Sequence, residues 1–309
     1  MSCILFYILI MKIAAWAVRF FEKLARQGWR AKAEYKFFYG LLKLIRPRSE
    51  RIDLNLDLIY PEHKGDEAWH KDFKNKVYQN FAWDLAEIFA AQKDINQVSS
   101  WVKEVEGFEY IKNFLDDRNQ GLLFMSGHYC SWELLAYWYS NLIRAHGGKL
   151  YAVAQNMHDK DLTAILNEYR AKAGIIVLPK DISTFEIVKL LKKGAHIAVL
   201  NDVAWTGGEL LPFLGQLCTN TTGPATLAML SGVPIISVGI YRLDEFKYKI
   251  KFLEPFHVDN NNNNLSKRER IEQATIKINN NLGEIISQQP ELWFWLHNRW
   301  KLNKLKKNK

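Results

Sequence analysis

GLLFMSGHYCSWE, residues 121–133, runs from apolar residues through one glycine and one histidine into residues that open a helix. A short apolar run bounded by turn signals reads as a strand buried on both faces, here 121–126. A helix over about 131–145 follows it, and the same unit recurs outward. LYAVA (150–154) is a second strand, and DLTAILNEYRAKAG (161–174) is a helix closed by Gly174. IIVLP (175–179), a helix over STFEIVKLLKKG (183–194) and HIAVLN (196–201) repeat the unit, as do TGPATLAMLSG (222–232) and PIISVGIYR (234–242). KYKIKFLE (247–254) predicts an antiparallel edge strand. Alternation of strand and helix, with glycine at the helix ends, predicts an α/β fold with a mostly parallel central sheet covered by helices on both faces. Upstream, 67–117 reads as helical, including WVKEVEG. Downstream, 259–264 is an asparagine-rich polar loop, and Ser266 with Glu269 fits a capping box opening a helix to about Gln289. Pro290 predicts the start of a last helix, ELWFWLHNRW.

A chain of 309 residues, 48% hydrophobic and 24% charged, has the composition of one large or two small globular domains. That excludes a disordered tail, a collagen-like repeat and a polytopic membrane protein. Three scattered cysteines are too few for a disulfide framework or zinc cage, which points to a reducing compartment. The net charge of +9 is uneven: residues 12–51 carry 11 basic and 3 acidic side chains, and 301–309 carry five lysines and no acid. Basic ends suit an anionic partner, whether nucleic acid, a membrane face or an acidic protein, or they serve solubility alone.

The N-terminus separates these partners. Residues 3–11 are wholly apolar and IAAWAV continues the run past Lys12. That is shorter than the roughly 20 residues a spanning helix needs, and it lacks the charged start and small-x-small site of a signal peptide. Trp16, Phe20, Phe21, Trp29, Phe37 and Phe38 then alternate with Arg19, Lys23, Arg26, Arg30 and Lys36. An aromatic face beside a basic face is the pattern of a helix lying in a membrane interface, whereas nucleic acid would favour the basic residues without the apolar run. Residues 1–46 therefore read as a membrane-anchoring helical segment on the cytoplasmic side, 47–300 as the main domain, and 301–309 as a basic tail.

In a parallel sheet, chemistry lies beyond the carboxyl ends of the strands. After 121–126 come Gly127, His128 and, five positions on, Glu133. On one continuous helix His128 and Glu133 would diverge by about 140°. With His128 in the loop and Glu133 in the first helical turn they can meet, and a carboxylate on the imidazole makes it a general base. The other reading is a loop histidine beside a glutamate that favours the helix dipole. Cys130 is a second candidate nucleophile but lacks an activating neighbour. The other seven histidines have no ligand spacing, so neither a metal nor a cofactor is expected.

Gly127-His128 through Glu133 resembles the H-x4-D/E signature of membrane acyltransferases. Its Glu form resembles the late acyltransferases of lipid A biosynthesis, the lauroyl/myristoyl family, within the lysophospholipid-acyltransferase-like superfamily. Further segments agree in order: Asn55-Leu56 with Tyr60-Pro61-Glu62, Tyr169-Arg170, Asp202, Pro212-Phe213-Leu214-Gly215, Thr222-Gly223-Pro224-Ala225, and Pro290-Glu291 with Trp295 to Lys301. Val203, where the family often has Gln, and Leu214, where it has Phe, depart from the pattern. The resemblance implies transfer of a fatty acyl chain from acyl carrier protein to a hydroxyl of a Kdo-bearing lipid A precursor, at the cytoplasmic face of the inner membrane. It implies His128 as the base oriented by Glu133, with no acyl-enzyme, and Arg170 and Asp202 as substrate-binding residues. For these two the residues leave another reading open: Arg170 as an exposed arginine paired with Glu168 or Asp202, and Asp202 as a turn former. The acceptor could also be another polar lipid, with an ornithine, glycerol or inositol-mannoside headgroup, or the chain a non-catalytic lipid-binding relative. The basic ends would serve both the acidic carrier protein and the membrane glycolipid's bilayer; nucleic acid is not expected as a partner.

Overall fold

The computed structural model describes residues 15–117, 119–153, 160–179, 181–259 and 264–300. The apolar run at 3–11, residues 260–263 of the asparagine loop and the tail at 301–309 lie outside the described residues. Two helices begin it, α1 (Ala15–Leu24) and α2 (Trp29–Ile45), followed by α3 (Ser49–Ile59) and α4 (Glu67–Ala91). On α2 the buried positions are Ala31, Glu34, Phe38 and Leu42. Their 3-4-4 spacing makes one stripe, which packs on α4. The opposite face leaves Trp29 74% and Leu44 81% exposed. Arg19 of α1 pairs with Glu168, and Tyr169 donates to Glu22 at 3.0 Å, which holds α1 to the body. No helix among the described residues is long and apolar enough to cross a membrane.

The strand–helix repeat follows: β1 (Val102–Glu106), α5 (Glu109–Asp116), β2 (Leu122–Ser126), α6 (Trp132–Ala145), β3 (Leu150–Val153), α7 (Lys160–Lys172), β4 (Ile175–Leu178), α8 (Thr184–Lys192) and β5 (His196–Leu200). Then come a hairpin, β6 (Glu209–Phe213) and β7 (Gln216–Asn220), α9 (Gly223–Ser231), β8 (Ile235–Asp244), β9 (Lys247–Phe252) and α10 (Lys267–Gln288). One seven-stranded sheet runs β1-β9-β8-β2-β5-β3-β4, with β8, β2, β5, β3 and β4 mutually parallel. Every residue of β2 is buried, as a central strand covered on both faces requires. Phe124 meets Tyr139 of α6, whereas Ser237 accepts from Asn281 of α10. The alternation of side chains along a strand therefore puts α6 and α10 on opposite faces. Gly239 of β8 lets α10 come close, since a Cβ there would lie 2.5 Å from Ile285.

Three local expectations are corrected. WVKEVEG is not helical throughout: Val102–Glu106 is β1, parallel to β9. So β9 is antiparallel to β8 as expected but is not the edge. After Pro290 only a short 3₁₀ turn, Pro290–Leu292, forms. From Trp293 to Trp300 the chain is non-helical, and Trp293, Trp295 and Trp300 are all buried and pack edge-on around Trp293. A regular helix would set Trp295 on the face opposite Trp293 and Trp300.

Candidate active site

β2 and β5 are adjacent and parallel, with Ser126 opposite Leu200. Two residues beyond these ends lie His128 and Asp202, so the register brings them together. Nδ1 of His128 sits 2.7 Å from Asp202 Oδ1, and the His128 amide donates to Oδ2 at 2.6 Å. The indole Nε1–H of Trp293 donates to the same Oδ2 at 2.7 Å. Gly127 is needed for this approach, because a Cβ at that position would stand 2.9 Å from Oδ2. Burial of Asp202 would raise its pKa, but the His128 charge and the three donors outweigh it and hold the carboxyl at about 2. Asp202 is therefore a fixed anion that orients the ring and stabilises its protonated form.

The expectation that Glu133 orients His128 is corrected: the carboxylate on Nδ1 is Asp202. Glu133 does open α6, but both its oxygens accept from Arg170, Oε2 from Nε at 3.2 Å and Oε1 from Nη2. Arg170 is neither exposed nor paired with Glu168 or Asp202. Burial would lower its pKa, and the Glu133 charge with its hydrogen bonds raises it on balance, so the guanidinium stays charged. Glu168 instead pairs with Arg19 and Lys172. Cys130 is fully buried, and burial pushes its thiol up to about 12, which leaves no thiolate for a nucleophilic role.

The turn from His128 to Ser131 is clamped from both sides. Phe294 N–H donates to His128 O at 3.0 Å and Cys130 N–H to Leu292 O at 2.8 Å. Cys130 itself adopts φ 47°, a left-handed conformation held by these bonds. Ser131 donates to Asp84 at 2.5 Å and receives from Arg242 at 3.1 Å, within a buried cluster completed by Glu87 and Tyr248. Trp293, Arg242, Asp84 and Glu87 were not among the expected site residues. They come from elements far apart in sequence, and only the resemblance of the closing tryptophan segment pointed near one of them.

Trp132 joins this centre to two apolar cavities. Its ring lies 5.2 Å from the His128 ring, centroid to centroid. One cavity, about 90 Å³, lies between α1, α2, α4 and α7 and is lined by Phe21, Phe38, Phe89, Leu162 and Ile165. The other, also about 90 Å³, lies between the sheet and α6 and includes Phe124, Ala152, Ala198 and Arg170. Trp132 and Glu133 line both. Among the described residues no cluster of His, Cys, Asp or Glu side chains could hold a metal ion.

An imidazole backed by a buried carboxylate, beside apolar cavities, is equipped to take a proton from a hydroxyl presented near a hydrocarbon chain. In comparison with known proteins, a family model described as bacterial lipid A biosynthesis acyltransferase matches residues 8–302. No curated protein matches the chain.

Proposed function

Since the chain belongs to the bacterial lipid A biosynthesis acyltransferases, we propose that it moves a fatty acyl chain from acyl carrier protein to a hydroxyl of a Kdo-bearing lipid A precursor at the inner membrane. The acceptor oxygen attacks the thioester carbonyl as Nε2 of His128 takes its proton. Asp202, holding Nδ1, stabilises the imidazolium that results. Collapse of the tetrahedral intermediate expels the carrier thiolate, the imidazolium returns the proton to sulfur, and the products are the ester and the free thiol. No acyl-enzyme is required. Arg170, kept charged by Glu133, lines the cavity between the sheet and α6 and supplies positive potential there, available to a carbonyl oxygen that gains negative charge.

The observation that carries this reading is the His128–Asp202 pair beyond two adjacent parallel strands, one tryptophan away from both apolar cavities. A cavity of about 150 Å³ admits benzene, so neither cavity takes a fatty tail as it stands. Membrane association is supported by the outer face of α2, where Trp29, Phe37 and Leu44 stand exposed beside Arg30, Lys36 and Lys43.

Acyl transfer from an acyl carrier protein thioester to a panel of lipid hydroxyls tests the reading directly. Wild-type protein should acylate the lipid A precursor, and His128→Ala should lose at least about a hundredfold in kcat. A folded, membrane-bound His128→Ala protein with unchanged transfer would remove the proposed base. Mass spectrometry of lipid A from cells lacking the protein should show one acyl chain missing.

A further inference from the structure

A second, basic cleft lies on the surface where α2 gives way to α3. It encloses about 620 Å³ and is lined by Arg46, Arg48, Arg51, Glu50, Leu54 and Asn298. Three guanidinium groups face one carboxylate there, an excess of two positive charges. Arg46 and Arg51 make no ion pair with described residues; they meet neutral oxygens, Arg46 that of Lys43 and Arg51 that of Asn298 at 3.0 Å. Asp53, on the inner side of α3, is engaged by Lys74 and His70.

Two further observations identify what the cleft takes. Leu44 and Ile45 end α2 exposed, and Leu54, 58% exposed, lines the cleft itself. Arginines set among exposed leucines suit an anionic group at a lipid surface better than the acidic helix of a soluble protein. Asn298 is also part of the segment that completes the catalytic centre. It stands five positions beyond Trp293, whose indole holds Asp202, and five steps of chain reach at most about 18 Å.

We propose that this cleft binds a phosphate or comparably anionic group on the headgroup of the acceptor lipid while the acceptor's hydroxyl lies at His128. The forked guanidinium groups match phosphate oxygens in pairs, and the span along residues 293–298 sets how far the anion stands from the reacting hydroxyl. The inference rests on reading the chain as a glycolipid acyltransferase.

Binding is measured on full-length His128→Ala protein, which on that reading does not turn over. Neutral phosphatidylcholine vesicles carry either a phosphorylated glycolipid acceptor or the same glycolipid with its phosphate removed. Arg46→Gln/Arg51→Gln should weaken binding to the phosphorylated form about tenfold to a hundredfold and leave the dephosphorylated form unchanged. Arg51→Lys should lose less than Arg51→Gln. Arg46→Gln alone, whose side chain hydrogen-bonds only Lys43 O of its own helix among the described residues, guards against a folding defect and should show a smaller loss of the same selectivity. Equal loss toward both glycolipids overturns the proposal. So does loss confined to vesicles doped with phosphatidylglycerol, which would assign the cleft to bulk headgroups. In steady-state transfer by the same variants on the wild-type background, a raised KM for acyl carrier protein with an unchanged KM for acceptor would assign it to a protein partner instead. Absence of acyl transfer by wild-type protein would sink the proposed activity and leave the binding difference standing.

Discussion

Replacing Asp202 with Asn removes one charge and keeps the shape, so it isolates what the carboxylate does for the imidazole. The substitution should lower kcat by about 10²–10⁴ and leave both KM values within about twofold, measured by initial rates at saturating acceptor. An Asp202→Asn protein with full kcat would make the aspartate a mere turn former. Cys130→Ala gives the complementary test: with its thiol buried and protonated, the variant should keep kcat within about twofold, and alkylating reagents should not inactivate wild-type protein. His128 was legible in the sequence because a glycine and a histidine directly follow an apolar run. Its partner was not. Glu133 is five positions away and Asp202 is 74, and only the adjacency of β2 and β5 decides between them. Strand order is a property of the assembled sheet, and the spacing of residues along the chain does not carry it.

Among the elements, α2 contains the most unusual packing choice. Glu34 is 6% exposed, and neither carboxylate oxygen has a hydrogen-bond partner among the described residues. Burial pushes its pKa up to about 7, against a smaller opposing pull from Lys93. The unfolded chain ionises near 4.5, so the favourable state with a neutral Glu34 is fully present below that pH and is lost as pH rises through about 7. Glu34→Gln should therefore gain stability relative to wild type as pH goes from 4 to 8, by about 1–3 kcal/mol, read by urea unfolding at each pH. A constant difference would mean that folding does not bury the carboxylate. The elements legible from sequence were those with strong periodicity, namely the central strands and the helices between them. β1 escaped because Val102 and Val105 alone are apolar in Val-Lys-Glu-Val-Glu, a spacing that also suits a helix. The hairpin of β6 and β7 escaped because five-residue strands with a proline at 212 give little signal.

For the whole molecule, the strongest pH dependence expected on the acid side comes from a histidine outside the site. His196 is buried at the start of β5 with Nδ1 2.7 Å from the Tyr139 hydroxyl, and burial lowers its pKa to about 4. Between pH 6.5 and 4 the unfolded chain binds a proton that the folded chain does not, so stability falls as pH drops through that window and levels off below it. The loss should be about 3 kcal/mol, and His196→Gln should flatten the slope in denaturant titrations. An unchanged slope would place the proton uptake elsewhere.

The closing segment has a consequence for the order in which this enzyme comes into being. Its Phe294 amide and Trp293 indole reach back to groups some 90 to 170 positions upstream, and the Asn55 side-chain amide donates forward to the oxygens of Trp295 and His297. A ribosome that has already delivered His128 and Asp202 has not yet delivered what aims them. The centre thus stays unassembled until the segment around Trp293 has been made, and a chain cut after Pro290 should keep every reactive group and lose turnover.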